Sequence, residues 1–142
     1  MSLYLDTSCL LKLVFVEPES DRVYRLIQAE AQVVVSTLAE LEAEQQLWSQ
    51  RLGGILTRRE LTRLNGFLAG LRGAAPFVHM TTPHDLAQIS RGQISTSGVY
   101  CRTADRLHLA AMAALGVDRL LTNDDQQAAA ARALGFAVVL PR

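Results

Sequence analysis

A chain of 142 residues with 14 Lys plus Arg against 14 Asp plus Glu carries no net charge, which excludes a uniformly basic nucleic-acid coat. Its hydrophobic content of 49% and charged content of 20% are those of a globular chain, and the length fits one domain, residues 1–142, able to bury a core without disulfides or a structural metal. Cys9 and Cys101 have neither zinc-ligand spacing nor the density of a secreted disulfide scaffold, no leader precedes Leu3, and no apolar run reaches the ~20 residues of a membrane span. The cytoplasm is the expected location, with both thiols buried and reduced.

Leu3-Tyr4-Leu5 reads as a first strand ending in Asp6, followed by a short apolar helix from Ser8 to Phe15. Pro18 breaks the chain, and Ser20-Asp21 cap a helix running to about Ala29. Val33-Val34-Val35 is β-branched and continuous, the pattern of a strand covered on both faces. A long helix from Thr37 to Leu52 follows, with Leu38, Leu41, Trp48 and Leu52 on one apolar stripe, and Gly53-Gly54 stops it. Thr57 and Glu60 form a capping-box pattern for a helix reaching Arg72. Phe77 to Met80 is a strand, Pro83 opens a helix from His84 to Ile94, and Ser95-Thr96-Ser97-Gly98 is the best loop in the chain. Thr103 to Leu115 is helical and ends at Gly116. Arg119 to Thr122 is a strand, Asp124 to Leu134 a helix with Gly135 as its cap, and Phe136 to Leu140 the last strand. Strands alternating with helices predict a three-layer α/β/α sandwich around a mainly parallel sheet, of unreadable strand order.

In such sheets ligands bind beyond the carboxyl ends of the strands, which nominates Asp6 and Asp124, although either also suits a helix cap. Asp105 starts the apolar stripe Asp105, His108, Leu109, Met112, so it faces inward and needs a partner. Arg102 and Arg106 lie about 60° and 100° round the helix from it. A metal ion or a helix N-terminus is the other source of positive charge. His79, His84 and His108 show no zinc spacing, and His108 reads as a hydrogen-bonded core histidine. No Gly-x-Ser-x-Gly turn and no phosphate-cradling glycine loop with a lysine are present, which leaves acidic residues at element ends. Charge is unevenly spread: seven acids against Arg22 and Arg25 between Glu17 and Glu44, then five arginines against Glu60 between Arg51 and Arg72.

Leu5-Asp6-Thr7-Ser8 and Ser36-Thr37-Leu38-Ala39-Glu40-Leu41-Glu42 resemble the opening of a PIN domain. Arg102-Thr103-Ala104-Asp105-Arg106-Leu107-His108-Leu109-Ala110 resembles its central acidic helix, and Leu121-Thr122-Asn123-Asp124 with Ala130 and Ala133-Leu134-Gly135 its closing motif. The blocks span nearly the whole chain in family order. It looks most like the VapC-type toxins, compact PIN ribonucleases of prokaryotic toxin–antitoxin pairs. The resemblance implies Mg²⁺ or Mn²⁺ as cofactor, RNA as substrate, a homodimer, and a cognate antitoxin that blocks the site.

It makes Asp6, Glu42, Asp105 and Asp124 the catalytic acids, with Asp6 and Asp105 on the metal directly and Glu42 and Asp124 directly or through water. Ser8 and Thr122 support them. Glu40 competes with Glu42, and Asp125 neighbours Asp124; helical periodicity does not separate Glu40 from Glu42. Arg51, Arg58, Arg59 and Arg63 are candidates for RNA phosphates, with Arg102 and Arg106 nearer the acids. Two departures stand out: Ala104, where many relatives carry a bulkier apolar residue, and the Ser95 to Tyr100 stretch. A PIN scaffold that binds RNA or protein without turnover is one alternative. A haloacid-dehalogenase-like phosphatase is another, but it wants an aspartate where Ser8 stands.

Overall fold

The apolar runs pair into one parallel sheet in the computed structural model, which describes residues 2–83 and 85–142. Its strands are β1 (Ser2–Leu5), β2 (Gln32–Ser36), β3 (Phe77–Met80), β4 (Arg119–Leu121) and β5 (Ala137–Val139), in the order β3-β2-β1-β4-β5. Register pairs Leu3 with Val33, Tyr4 with both Val34 and Leu120, and Leu121 with Val139. Successive side chains of a strand point to opposite faces. Leu3, Leu5, Val33, Val35 and Leu121 therefore enter one apolar core, and Tyr4, Val34 and Leu120 the other. That two-sided burial explains the unbroken apolar strands.

Helices α1 (Thr7–Val14), α2 (Ser20–Gln28), α3 (Thr37–Leu52) and α4 (Arg58–Gly70) pack into the first core. Helices α6 (Thr103–Leu115) and α7 (Asp125–Ala133) cover the second face, and α5 (Leu86–Ser97) packs against α6. The three-layer α/β/α sandwich is the observed architecture. Thr57 caps α4 with the full reciprocal capping box to Glu60, and a 3-10 turn, Leu71–Gly73, follows the helix.

Two expectations need correction. The buried stripe of α3 is Ala39, Ala43 and Leu47, whereas Leu41, Trp48 and Leu52 are exposed. Alanines let α3 lie close to α1 and α4, and a count of large apolar residues points to the wrong face. Ser95 to Ser97 form no loop: α5 continues through them, helped by Ser95 and Thr96 hydroxyls donating to the Gly92 carbonyl, and stops at Gly98 with φ +63°. The predicted start of that helix at His84 lies outside the described residues.

The strand order carries the functional consequence. From β1 the chain winds to β2 and β3 on one side, then returns to β4 on the other, so the winding reverses between β1 and β4. A crevice at the carboxyl ends of those two strands is where an open α/β sheet binds its ligand.

Candidate active site

Asp6 and Asp124 flank that reversal. Asp6 follows β1, and its backbone N–H donates to the Leu121 carbonyl of β4 at 3.1 Å. Each aspartate does cap a helix: Asp6 accepts from the Ser8 N–H, and Asp124 Oδ1 from Gln126 and Gln127 at 2.9 and 3.0 Å. Capping uses part of each carboxylate. Asp6 Oδ2 accepts the Ser8 hydroxyl at 2.7 Å and the Thr122 hydroxyl at 2.9 Å, while Oδ1 lies 3.9 Å from His108 Nε2. Ser8 Oγ accepts the Asn123 N–H, and Thr122 Oγ1 accepts the Asp124 N–H. The two supporting hydroxyls thus tie the ends of β1 and β4 together.

Asp105 and Asp124 share one cation. Arg102 Nε donates to Asp105 at 2.9 Å and its Nη2 to Asp124 at 3.1 Å. The Arg102–Asp105 pair stands at i,i+3, a spacing at which helix neighbours meet, with Arg102 at the N-cap of α6, ψ 156°. Burial lifts the Asp105 carboxyl above the usual range; Arg102 opposes this, and Asp6 and Asp124 reinforce it. A carboxyl whose pKa is higher in the fold than in the unfolded chain holds its proton more tightly when folded. Its favourable contribution is present below the unfolded value, ~3.9, and is lost as pH rises through the folded value. Ionised Asp105 is therefore a net cost at neutral pH. Thermal melts in chelator at pH 7 should show a higher midpoint for Asp105→Asn than for wild type, and the gap should close below about pH 3.9.

Glu42 enters from α3. It accepts the Thr7 hydroxyl at 2.8 Å and meets His108 Nε2 in a short hydrogen bond. Burial raises its pKa, but His108 and Thr7, with Arg102 at longer range, outweigh that and leave the carboxyl below its usual value. His108 is fully buried; its Nδ1 bonds Tyr4 Oη at 2.7 Å, and Tyr4 Oη bonds Ser36 Oγ at 2.7 Å. Ser36 caps α3 by accepting the Ala39 N–H. With Glu42 ionised, one direction satisfies the whole chain: Ser36 donates to Tyr4, Tyr4 to Nδ1, and Nε2–H to Glu42.

The competing acids separate clearly. Glu40 turns to Arg72 and His79, and Asp125 to Arg142. The structure brings Asp105 and Asp124 together on Arg102, and links Glu42 to Asp6 through His108. His108 is a core histidine as expected, yet it also joins the acids. Thr7, Tyr4, Ser36 and the counter-ion role of Arg102 were not singled out by sequence, although His108 shares the Asp105 stripe. Arg51 and Arg58 line a shallow groove with Trp48 and Leu52, and Arg59 and Arg63 line another along α4. Leu52 is about 15 Å along α3 from Glu42 at 1.5 Å per residue. Arg106 is buried, with Nη2 on the Val99 carbonyl, so it is not a surface phosphate contact. Burial pushes the Cys9 thiol up to about 12, which makes it inert.

Among the described residues, no three His, Cys, Asp or Glu side chains stand together as a ready-made metal cluster. The donor set nevertheless fits a hard divalent cation. It consists of carboxylate oxygens, and the exposed guanidinium of Arg102 already supplies positive charge between two of them. Ser8, moreover, gives its hydroxyl to Asp6 and leaves no second carboxylate for aspartyl-phosphate chemistry.

Known proteins share this arrangement of the chain. The PIN domain model matches residues 3–133. Ribonuclease VapC46 of Mycobacterium tuberculosis is 35% identical over 146 residues, covering 99% of this chain and 98% of that protein. The crystal structure of M. tuberculosis VapC20, described as a Sarcin-Ricin loop cleaving toxin, superposes with a TM-score of 0.68 at 19% identity, over 95% of this chain and 96% of that one. VapBC2 from Rickettsia felis, bound to a DNA fragment from its promoter, gives a TM-score of 0.70 at 14% identity, over 99% and 98%. With strand order, acidic crevice and full-length similarity in agreement, the chain belongs to the PIN domain family.

Proposed function

We propose that the protein is a divalent-metal-dependent endoribonuclease that serves as the toxin of a type II toxin–antitoxin pair and acts in the cytoplasm. The observation that carries this reading is the set of acids at the β1/β4 reversal, two of them sharing one arginine and the other two facing one buried histidine. Similarity to a curated ribonuclease along the whole chain supports the choice of substrate class.

Asp6 and Asp105 would hold Mg²⁺ or Mn²⁺ directly, with Glu42 and Asp124 acting directly or through water. When bound, such an ion supplies Lewis acidity that activates water and stabilises charge on a phosphodiester. The protein's own groups do the positioning. Ser8 and Thr122 fix Asp6 by one oxygen and leave the other toward the crevice. Thr7 and His108 hold Glu42 ionised. Arg102, on its exposed stem, exchanges its carboxylate partners for the negative phosphate of RNA.

The exposed apolar residues of α3 and α4, among them Leu41, Trp48, Leu52 and Phe67, support a protein partner, and an antitoxin fits that role. A homodimer is part of the same reading. Purified protein is expected to cleave single-stranded RNA with Mn²⁺ or Mg²⁺, and gel-resolved products should disappear with chelator and with Asp124→Asn. RNA binding with no metal-dependent product would instead identify a non-catalytic PIN module.

A further inference from the structure

The helix that carries Asp105 has a second face that the acidic site does not use. At 3.6 residues per turn, Arg106 sits 100° round α6 from Asp105. It lines a cavity of about 520 Å³ between α5, the link from Gly98 to Cys101, and the start of α6. Arg106 is 5% exposed. Its Nη2 donates to the Val99 carbonyl at 2.8 Å, but Nη1 is buried and has no acceptor among the described residues. The neighbouring carboxylate, Asp105, is already taken by Arg102. Ser90, 7% exposed, lines the same cavity from α5, and its hydroxyl is also buried and unpartnered.

Buried polar groups are nearly always paired, and these two orphans sit just behind the wall of one cavity, where a small turn of either side chain gives a ligand a polar partner. A buried guanidinium without counter-charge selects acceptor atoms of negative character. The remaining walls include Ile94, Val99, Leu107 and Tyr100, and the Tyr100 side chain is 73% exposed at the rim. They select a flat, apolar face. A small carboxylate would satisfy Arg106 and leave the aromatic wall idle. A nucleobase satisfies both, and guanine offers O6 and N7, the acceptors arginine reads most often. Thr103, on the cavity wall, stands two residues before Asp105, so the cavity begins within one helical turn of the carboxylates.

We propose that this cavity is a base-recognition pocket for a guanine next to the cut phosphate, with Arg106 and Ser90 on the base edge and Tyr100 stacked on its face. The word "cut" rests on the nuclease reading above; the pocket's selectivity does not. The test is a nuclear magnetic resonance titration of wild-type protein with 5′-GMP and 5′-CMP in chelator, which prevents metal bridging of the phosphate to the acids. Backbone amides of residues 98–106 should shift with 5′-GMP at concentrations at least about tenfold below those for 5′-CMP, as stacking plus a read base edge predicts. Tyr100→Ala, at an exposed position that leaves the core intact, should weaken 5′-GMP at least about fivefold, and Arg106→Gln should erase the preference.

Equal response to both nucleotides, shifts confined to other residues, or a Tyr100→Ala profile like wild type would overturn the pocket. So would amides 98–106 that respond to protein concentration and not to nucleotide, the sign of a protein surface closing the cavity. Selective 5′-GMP binding by a protein that cleaves no RNA would sink the nuclease reading and keep the pocket. Efficient cleavage with no guanine preference beside the cut, and no 5′-GMP selectivity, would do the reverse.

Discussion

Asp6→Asn is expected to fold as the wild type does and to cleave RNA at least about a thousandfold more slowly. On the proposed roles, removing Asp6 from the metal forfeits several kcal/mol of transition-state stabilisation, and each ~1.4 kcal/mol is a factor of ten. The fold survives because asparagine keeps a side-chain carbonyl for the contacts of Asp6 Oδ2. The Ser8 hydroxyl at 2.7 Å and the Thr122 hydroxyl at 2.9 Å both donate, and an amide oxygen accepts from both. What is lost is the negative charge. Asp105→Asn should match it in lost activity while melting higher in chelator, a separation of stability from function seen where like charges are held together for chemistry. Initial rates on a defined RNA, read beside circular dichroism and melting curves, check both. Wild-type rates from folded Asp6→Asn protein would remove Asp6 from the active site.

His108→Leu is expected to cost ~2–4 kcal/mol of stability and to slow cleavage 10–100-fold at saturating metal. The imidazole is fully buried between the Tyr4 hydroxyl and Glu42, so leucine leaves one acceptor too few for Tyr4 and one donor too few for a carboxylate. At this size the loss of stability lowers the melting temperature by ~5–15 °C. Tyr4→Phe separates the two effects. It keeps the edge-on ring contact with His108, whose centroid lies 5.7 Å away, and removes the donor to Nδ1. The imidazole loses its preference for the Nε2–H tautomer, and cleavage should slow less than in His108→Leu. Unchanged rates in both variants would mean that Glu42 needs no orientation. Lowering the pH also works on this link: the depressed pKa of Glu42 contributes stability above its unfolded value, and protonation removes that as pH falls through the folded value.

Much of this was legible in the residues, for reasons that also mark where reading stopped. Val33 to Val35 announced a strand covered on both faces because branched, unbroken apolar runs have no other stable use. Thr57 and Glu60 announced a helix start, and both halves of the box form. Asp6 and Asp124 were placed at strand ends by local pattern alone. Their meeting depends on the order β3-β2-β1-β4-β5, which is a tertiary choice that no local pattern encodes. Glu40 and Glu42 are indistinguishable by period, and the structure separates them by what lies opposite: Arg72 for one, His108 and Thr7 for the other. Leu41, Trp48 and Leu52 misled because size was taken for burial, when close helix contact favoured Ala39 and Ala43. Arg102 was expected near the acids and lies there, on Asp105 and Asp124, but the strand order that brings Asp124 to it is not written in α6.

The central position of β1 has a consequence for folding. Strand β1 waits for a neighbour that lies far along the chain, since Tyr4 pairs with Leu120. Closing so long a segment is entropically slow, and the hydroxyl of Thr122 cannot reach Asp6 before it happens. The acidic crevice is thereby completed in one late folding step rather than growing with length.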